Sequence, residues 1–264
     1  MRFEQMTIAE IVLWLEERGQ EVRAADLRQL RQDIRVGARQ AVQRWERRKA
    51  ALVSERERLD QMWTEERALW RQGIRLVAGV DEAGRGPLAG PVVVAAVVFP
   101  QEVHIAGIND SKQLTPTRRE QLFEQILRQA QSVSVVAVGQ RTIDQVNILQ
   151  ATKQAMQSAV EALGDGVEYA LVDGNMLPPW RLPSRAVVKG DSRSFSIAAA
   201  SIVAKVTRDR LMTECDRLYP QYGFAQHKGY PCPEHYRALL RHGPCPLHRL
   251  TFLRKLAVDL CDQQ

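Results

Sequence analysis

The sequence predicts an α/β sandwich with an all-helical segment at its front. Three observations carry that expectation. Composition shifts along the chain: all twelve prolines lie at Pro87 or beyond, whereas four of the five tryptophans (Trp14, Trp45, Trp63, Trp70) precede residue 72. Before that point, apolar residues recur at helical spacing. After it, short Val-rich runs alternate with longer segments of helical period, the pattern of a sheet covered by helices. The boundary is expected near Gly73, dividing the 264 residues into an extension, 1–72, and an α/β domain, 73–264, that ends in helices.

In the extension, Thr7 and Glu10 have capping-box spacing, and Ile8, Ile11, Val12 and Leu15 share one helical face. Gly19 is the expected stop. A second helix is expected through Leu27, Leu30 and Ile34, and a long third one from Ala38 to Trp70. The third carries Arg44, Arg47, Arg48 and Lys49, then Arg56 and Arg58.

In the domain, strands are expected at 75–81, 92–99, 132–138, 169–173 and 185–189. Helices are expected after Thr115-Pro116, an N-cap followed by a proline suited to the first turn, and at 142–163 and 195–213. No internal repeat or low-complexity tract interrupts this order.

The chemistry concentrates at residues 79–91, Gly-Val-Asp-Glu-Ala-Gly-Arg-Gly-Pro-Leu-Ala-Gly-Pro. An apolar run ends in two adjacent carboxylates, Asp81 and Glu82, and a Gly84-Arg85-Gly86 turn leads into a second apolar run. Charge buried at a strand end is costly unless paired, and a divalent cation pairs well with oxygen ligands. Two more β-rich runs stop at an Asp beside a Gly, one at Asp173 and one at Asp191. Strand ends are where α/β sheets build sites, so the four acids can converge. An all-oxygen set suits Mg²⁺ or Mn²⁺. Taken singly, each Asp beside a Gly also reads as a solvated turn residue. Gly84 to Ala89 matches a dinucleotide fingerprint, but that motif needs a helix to follow, and here Pro91 and a Val-rich strand follow instead.

Six segments, in order, resemble bacterial ribonuclease HII. They are Val80 to Leu88, Asn109-Asp110-Ser111-Lys112, Leu171 to Gly174, Val188 to Ser192, Ala199 to Asp209 and Tyr222 to Pro231. The resemblance runs from about residue 74 to about residue 253. It implies a ribonuclease H-like mixed sheet flanked by helices, with a helical C-terminal part. It implies an endonuclease that cuts the RNA strand of RNA/DNA hybrids, and cuts 5′ of ribonucleotides embedded in duplex DNA, leaving 5′-phosphate and 3′-hydroxyl ends. Such cutting would open ribonucleotide excision repair. It makes Asp81, Glu82, Asp173 and Asp191 the catalytic acids and the ligands of Mn²⁺ or Mg²⁺. It makes Gly84, Arg85 and Gly86 the loop that meets the ribose 2′-hydroxyl and nearby phosphates, Lys112 a phosphate contact, and Tyr230 the ring beside the sugar at the RNA-to-DNA junction. One departure stands out: Cys232 occupies a position where the family commonly has Thr.

Those roles agree with the chemistry. Only the 2′-hydroxyl separates RNA from DNA at a given nucleotide. A glycine loop lets backbone donors and acceptors approach it, and an aromatic ring can pack on a deoxyribose. Without the resemblance, Tyr230 beside Pro231 reads as a surface aromatic and Arg85 as a loop arginine. Some relatives carry a front extension of this kind. Here the basic stretch around Trp45 is expected to be a substrate-binding arm, against the alternative of a solvated helix face.

Net charge is +6, which suits a polyanionic partner. The longest apolar run, Val92 to Phe99, is far too short to span a bilayer, and the opening residues lack the apolar core of a secretory signal. A cytoplasmic monomer is the expectation, with Cys215, Cys232, Cys245 and Cys261 as thiols. Cys232-x-x-His235 and His242-x-x-Cys245 have zinc-like spacing, but the gap between the pairs is shorter than in usual zinc modules, and a loop–helix–loop is expected there. A hybrid-binding protein that does not cut is the competing reading, and four acids facing phosphates weigh against it. A resolvase or exonuclease of the same fold is weighed against by the Gly84-Arg85-Gly86 loop paired with Tyr230.

Overall fold

The computed structural model describes residues 3–101 and 103–254. The chain divides into two compact units, Met1–Arg58 and Leu59–Gln264. The composition shift near Gly73 lies well beyond that division, because the residues just after Arg58 join the core of the second unit.

The first unit is helical. Helix α1 (Ile8–Arg18) opens on the expected capping box: the Thr7 amide donates to Glu10 Oε2 at 2.7 Å, and the Glu10 amide to Thr7 Oγ1 at 3.2 Å. Helix α2 (Ala24–Arg31) ends earlier than expected, and Ile34 is solvent-exposed beyond it. The Arg35 guanidinium explains the stop. It grips Asp33 at 2.6 Å and reaches the carbonyls of Phe3 and Met6, holding the chain in a turn. That pairing keeps the Asp33 carboxyl down at about 2. Phe3, Ile11, Trp14, Leu15, Leu30 and Val42 form the unit's core.

The expected long third helix is two. Helix α3 (Val36–Met62) stops before Trp63, and α4 (Thr64–Trp70) follows. The break turns the Trp63 indole into the core of the second unit, where it stacks on Phe195 with ring centroids 4.1 Å apart.

The second unit is built on a five-stranded sheet of order β3-β2-β1-β4-β5. Strands β1 (Val77–Ala83), β2 (Val92–Val98) and β3 (Ser132–Val138) pair antiparallel, while β4 (Tyr169–Asp173) and β5 (Ser184–Val187) run parallel to β1. Helix α5 (Pro116–Gln129), capped by Thr115 as expected, and α7 (Phe195–Leu218) cover one face. Helix α6 (Gln140–Glu161) covers the other. Short α8 (Phe224–His227) and α9 (Pro233–His242) complete the C-terminal part. Alternation along β1 sends Ala78 and Val80 into the α6 side, which leaves Gly79 and Asp81 facing α7. At Gly79 a β-carbon would overlap the Ser196 backbone, so α7 lies directly on β1.

Two boundaries matter for the site. β1 continues through Ala83, so Asp81 and Glu82 sit within a paired strand rather than just after it. β5 stops at Val187, and Asp191 stands not at a strand end but on a short 3-10 turn, Gly190–Ser192, entered through a left-handed Lys189 (φ 55°). Asp191 nonetheless remains beside Asp173, because the Gly190 amide donates to Asp173 Oδ1 at 2.7 Å.

Candidate active site

The register of the parallel pair brings the first two acids together. Val80 of β1 lies opposite Val172 of β4, so Asp81 and Asp173, one residue further along each strand, are neighbours facing α7. The turn bonded to Asp173 adds Asp191. Glu82 completes the set from the adjoining position on β1. Asp81 Oδ1 accepts a hydrogen bond from the Glu82 amide at 2.7 Å, and the Ser201 hydroxyl on α7 favours its charged form. The Ser201 hydroxyl in turn lies 2.9 Å from that of Ser111.

The electrostatics are those of excess negative charge. Burial, then the charges of Glu82 and Asp173, hold the Asp81 carboxyl well above the usual carboxylate range. Burial raises Glu82 as well, opposed by Arg85, whose Nη1 is 3.1 Å from Glu82 Oε1. Asp191 is pushed up to about 6 by burial and by the neighbouring Asp110 and Asp173. Lys112 Nζ lies 3.9 Å from Asp191 Oδ2. Burial works against its charge, but the acids outweigh that, Asp110 foremost, and raise its pKa. Asp110, half-buried, is thus a fifth carboxylate at the site, and it was not among the expected acids. It stands in the Asn109-Asp110-Ser111-Lys112 segment, but follows no strand, so the strand-end criterion passes over it.

Among the described residues, no three His, Cys, Asp or Glu side chains close into a ready-made ligand cluster. Asp173 and Glu82 each accept from their own donor instead, the Gly190 amide and the Arg85 guanidinium. The donor set is all oxygen, largely buried and mutually repelling, which fits hard divalent cations. Asp81, Glu82, Asp173 and Asp191 are the residues that could hold them.

Beside the acids lies the glycine loop. Gly84 has φ +93°, and a β-carbon there would overlap Arg208. Gly86 faces Tyr230: a β-carbon would sit 3.9 Å from Tyr230 Cε1. Tyr230 is 40% exposed, and its ring lies over Arg208 (5.5 Å) and Lys205 (5.8 Å). The loop and the tyrosine therefore form one surface. Two fully buried arginines support it. Arg249 donates to the carbonyls of Gly84 (2.6 Å), Arg85 (2.9 Å) and Gly90 (2.8 Å). Arg208 donates to Pro91 and Ala89. Sequence reasoning did not single out either arginine, since a lone Arg carries no sign of the distant carbonyls it will bind.

A mixed sheet with helices on both faces, and acids brought together from adjoining parallel strands, defines a ribonuclease H-like nuclease. A ribonuclease H2 from Pyrococcus horikoshii shares the fold: TM-score 0.56, 30% identity, 67% of this chain and 93% of that one. The family model for ribonuclease HII matches residues 78–255, and the model for the ribonuclease HII N-terminal domain matches residues 7–70. Ribonuclease HII of Geobacillus kaustophilus is 50% identical over 84% of this chain and 85% of its own length. That of Enterococcus faecalis is 49% identical over 84% and 87%. The chain belongs to the ribonuclease HII family and is a ribonuclease, a hydrolase of phosphodiester bonds.

Proposed function

We propose that this endonuclease cuts the RNA strand of RNA/DNA hybrids, and cuts 5′ of single ribonucleotides in duplex DNA, leaving 5′-phosphate and 3′-hydroxyl ends. The observation that carries the reading is the juxtaposition of the buried acid set with the joined surface of Gly84-Arg85-Gly86 and Tyr230. Asp81, Glu82, Asp173 and Asp191 are assigned as ligands of two divalent ions, Mn²⁺ or Mg²⁺, which when bound supply an activated water and neutralise the leaving 3′ oxygen. Gly84 and Gly86 let the backbone approach the 2′-hydroxyl, Arg85 and Lys112 meet phosphates, and Tyr230 packs on the sugar of the following deoxynucleotide. The protein works as a monomer in the cytoplasm. Among the described residues, no helix is long and apolar enough to cross a membrane.

The front segment, 1–72, is proposed as a substrate-binding arm. Its support is the half-buried Trp45 with Lys49 Nζ 4.9 Å from the ring, amid exposed Leu52 and Val53 and the basic residues Arg48 and Arg56. Deletion to test this stops at Arg58, since Leu59, Met62 and Trp63 belong to the core of the second unit. Weaker hybrid binding with kcat retained is expected; unchanged affinity would sink the arm.

The decisive assay is cleavage of a labelled DNA duplex carrying one ribonucleotide, with Mg²⁺, Mn²⁺ or EDTA. A metal-dependent cut on the 5′ side of the ribonucleotide is expected. Hybrid cleavage without that cut would remove the assigned roles of the glycine loop and Tyr230. No cleavage of either substrate would overturn the proposed substrate class.

A further inference from the structure

Tyr230 follows two consecutive residues in the left-handed region, Lys228 (φ 52°) and Gly229 (φ 80°). Such backbone persists only where its surroundings hold it. The Gly229 carbonyl accepts from the Leu88 amide at 2.8 Å, and a β-carbon at Gly229 would sit 2.5 Å from the Ala89 carbonyl oxygen. The Tyr230 amide donates to the His227 carbonyl at 2.9 Å, and two further restraints come from imidazoles. The Gly229 amide donates to His227 Nδ1 at 3.1 Å, and the Tyr230 carbonyl faces His235 Nδ1 at 3.0 Å.

Which nitrogens carry hydrogen follows by elimination. His235 Nδ1 faces a carbonyl, so it must be the donor, and Nε2 of a neutral ring is then bare. That bare nitrogen lies 3.0 Å from His248 Nε2, which must therefore carry its hydrogen. His248 Nδ1 is then free to accept from the Cys245 amide at 2.9 Å, while the Cys245 carbonyl, 3.2 Å from that nitrogen, accepts from the His248 amide at 3.0 Å. A chain of donors thus runs from Cys245 through His248 and His235 to the Tyr230 carbonyl. His235 and His248 are almost wholly buried, and burial pulls both pKa values down, His235 to about 4. Burial thus disfavours the charged form of both rings, as the chain requires.

We infer that His235, aligned by His248, is a positioning residue that sets where the Tyr230 ring stands. It thereby governs the preference for a ribonucleotide-to-deoxyribonucleotide junction over uninterrupted hybrid. This rests on the reading of Tyr230 as the junction contact. The neighbouring Arg249 holds the Gly84 and Arg85 carbonyls, so the segment ending in His248 and Arg249 registers the tyrosine and the loop against each other.

The test measures kcat and KM on a duplex with one ribonucleotide and on a continuous hybrid, for full-length His235→Ala, His235→Asn, His235→Gln, His248→Ala and Tyr230→Ala. An Asn amide reaches the Nδ1 position and can still donate to the Tyr230 carbonyl; a Gln amide reaches the Nε2 position and cannot. Expected for His235→Ala, His235→Gln and His248→Ala is about a tenfold fall in junction preference, the worth of one neutral hydrogen bond. Hybrid cleavage stays within about twofold, and His235→Asn retains the preference. Because Asn and Gln both refill the space, the comparison holds even where His235→Ala fails to fold. The inference is overturned if Gln and Asn behave alike, or if both substrates lose activity equally. Tyr230→Ala separates the two layers. If it leaves the preference unchanged, the reading of Tyr230 fails; if it shifts the preference while His235→Gln does not, the inference alone fails.

Discussion

Gly84→Ala is the substitution for which the structure dictates a magnitude. Two penalties add. The residue has φ +93°, and a side chain in the left-handed region costs about 1–2 kcal/mol. The new methyl would also overlap Nε and Cδ of Arg208 and come within 2.9 Å of Cζ. These atoms lie in the middle of a fully buried side chain whose Nε donates to Pro91 at 3.0 Å and whose Nη2 donates to Ala89 at 3.2 Å. It cannot swing aside without breaking charge-assisted bonds, so overpacking should add about 1–3 kcal/mol. Gly174 separates the two contributions: it has the same φ of +93°, and nothing lies within 4 Å of where its methyl group would stand. Urea unfolding followed by tryptophan fluorescence should show Gly174→Ala losing about 1–2 kcal/mol and Gly84→Ala about 2–5 kcal/mol, with unchanged m. Equal losses for the two would refute the clash and with it the view that Arg208 backs the loop.

Further expectations concern charge. Asp81→Asn should reduce cleavage by at least ~10³-fold while hybrid binding survives. It should also raise the melting temperature of the metal-free protein, because burial and the charges of Glu82 and Asp173 all disfavour the Asp81 carboxylate; full activity in the variant would overturn the metal assignment. Mn²⁺ or Mg²⁺ at a hundredfold over Kd should stabilise the wild type by about 2.7 kcal/mol in thermal shifts without nucleic acid, and Asp81→Asn distinctly less. His235, lowered to about 4 from its ordinary 6.5, binds its proton more readily in the unfolded chain, so its contribution is lost as pH falls from about 6.5 towards 4, about 3 kcal/mol in all. Asp191, raised to about 6, acts in the opposite sense and favours the folded state as pH falls through 6. The stability difference between wild type and His235→Asn isolates the histidine and should shrink across that window; a difference independent of pH would contradict it.

Much of this was legible in the chain. Apolar runs that stop at Asp81, Asp173 and Asp191 pointed to one edge of a sheet, and the parallel register of β1 with β4 is why the first two meet. Capping at Thr7 and Thr115 was read from local hydrogen-bonding chemistry that needs no tertiary information. What escaped depended on distant partners. The break at Trp63 is made by a stacking partner more than a hundred residues away. Asp191 stands on a turn that only the bond from the Gly190 amide to Asp173 explains. Asp110 reaches the acids from a loop, and Arg208 and Arg249 look like surface cations until the carbonyls they bind are in place.

The stitching of the loop to the tyrosine has a consequence for synthesis. All four acids are in hand once residue 191 has been made, whereas the proposed reading surface draws on residues 84–90, 228–230 and 245–249. Chains emerge N-terminal end first at roughly 5–20 residues per second. A nascent or clipped chain ending before Arg249 would carry the four acids proposed to cut, but not the scaffold that holds Gly84 and Tyr230 in register. On the proposed reading, the surface that discriminates the junction is completed by residues made well after the four acids.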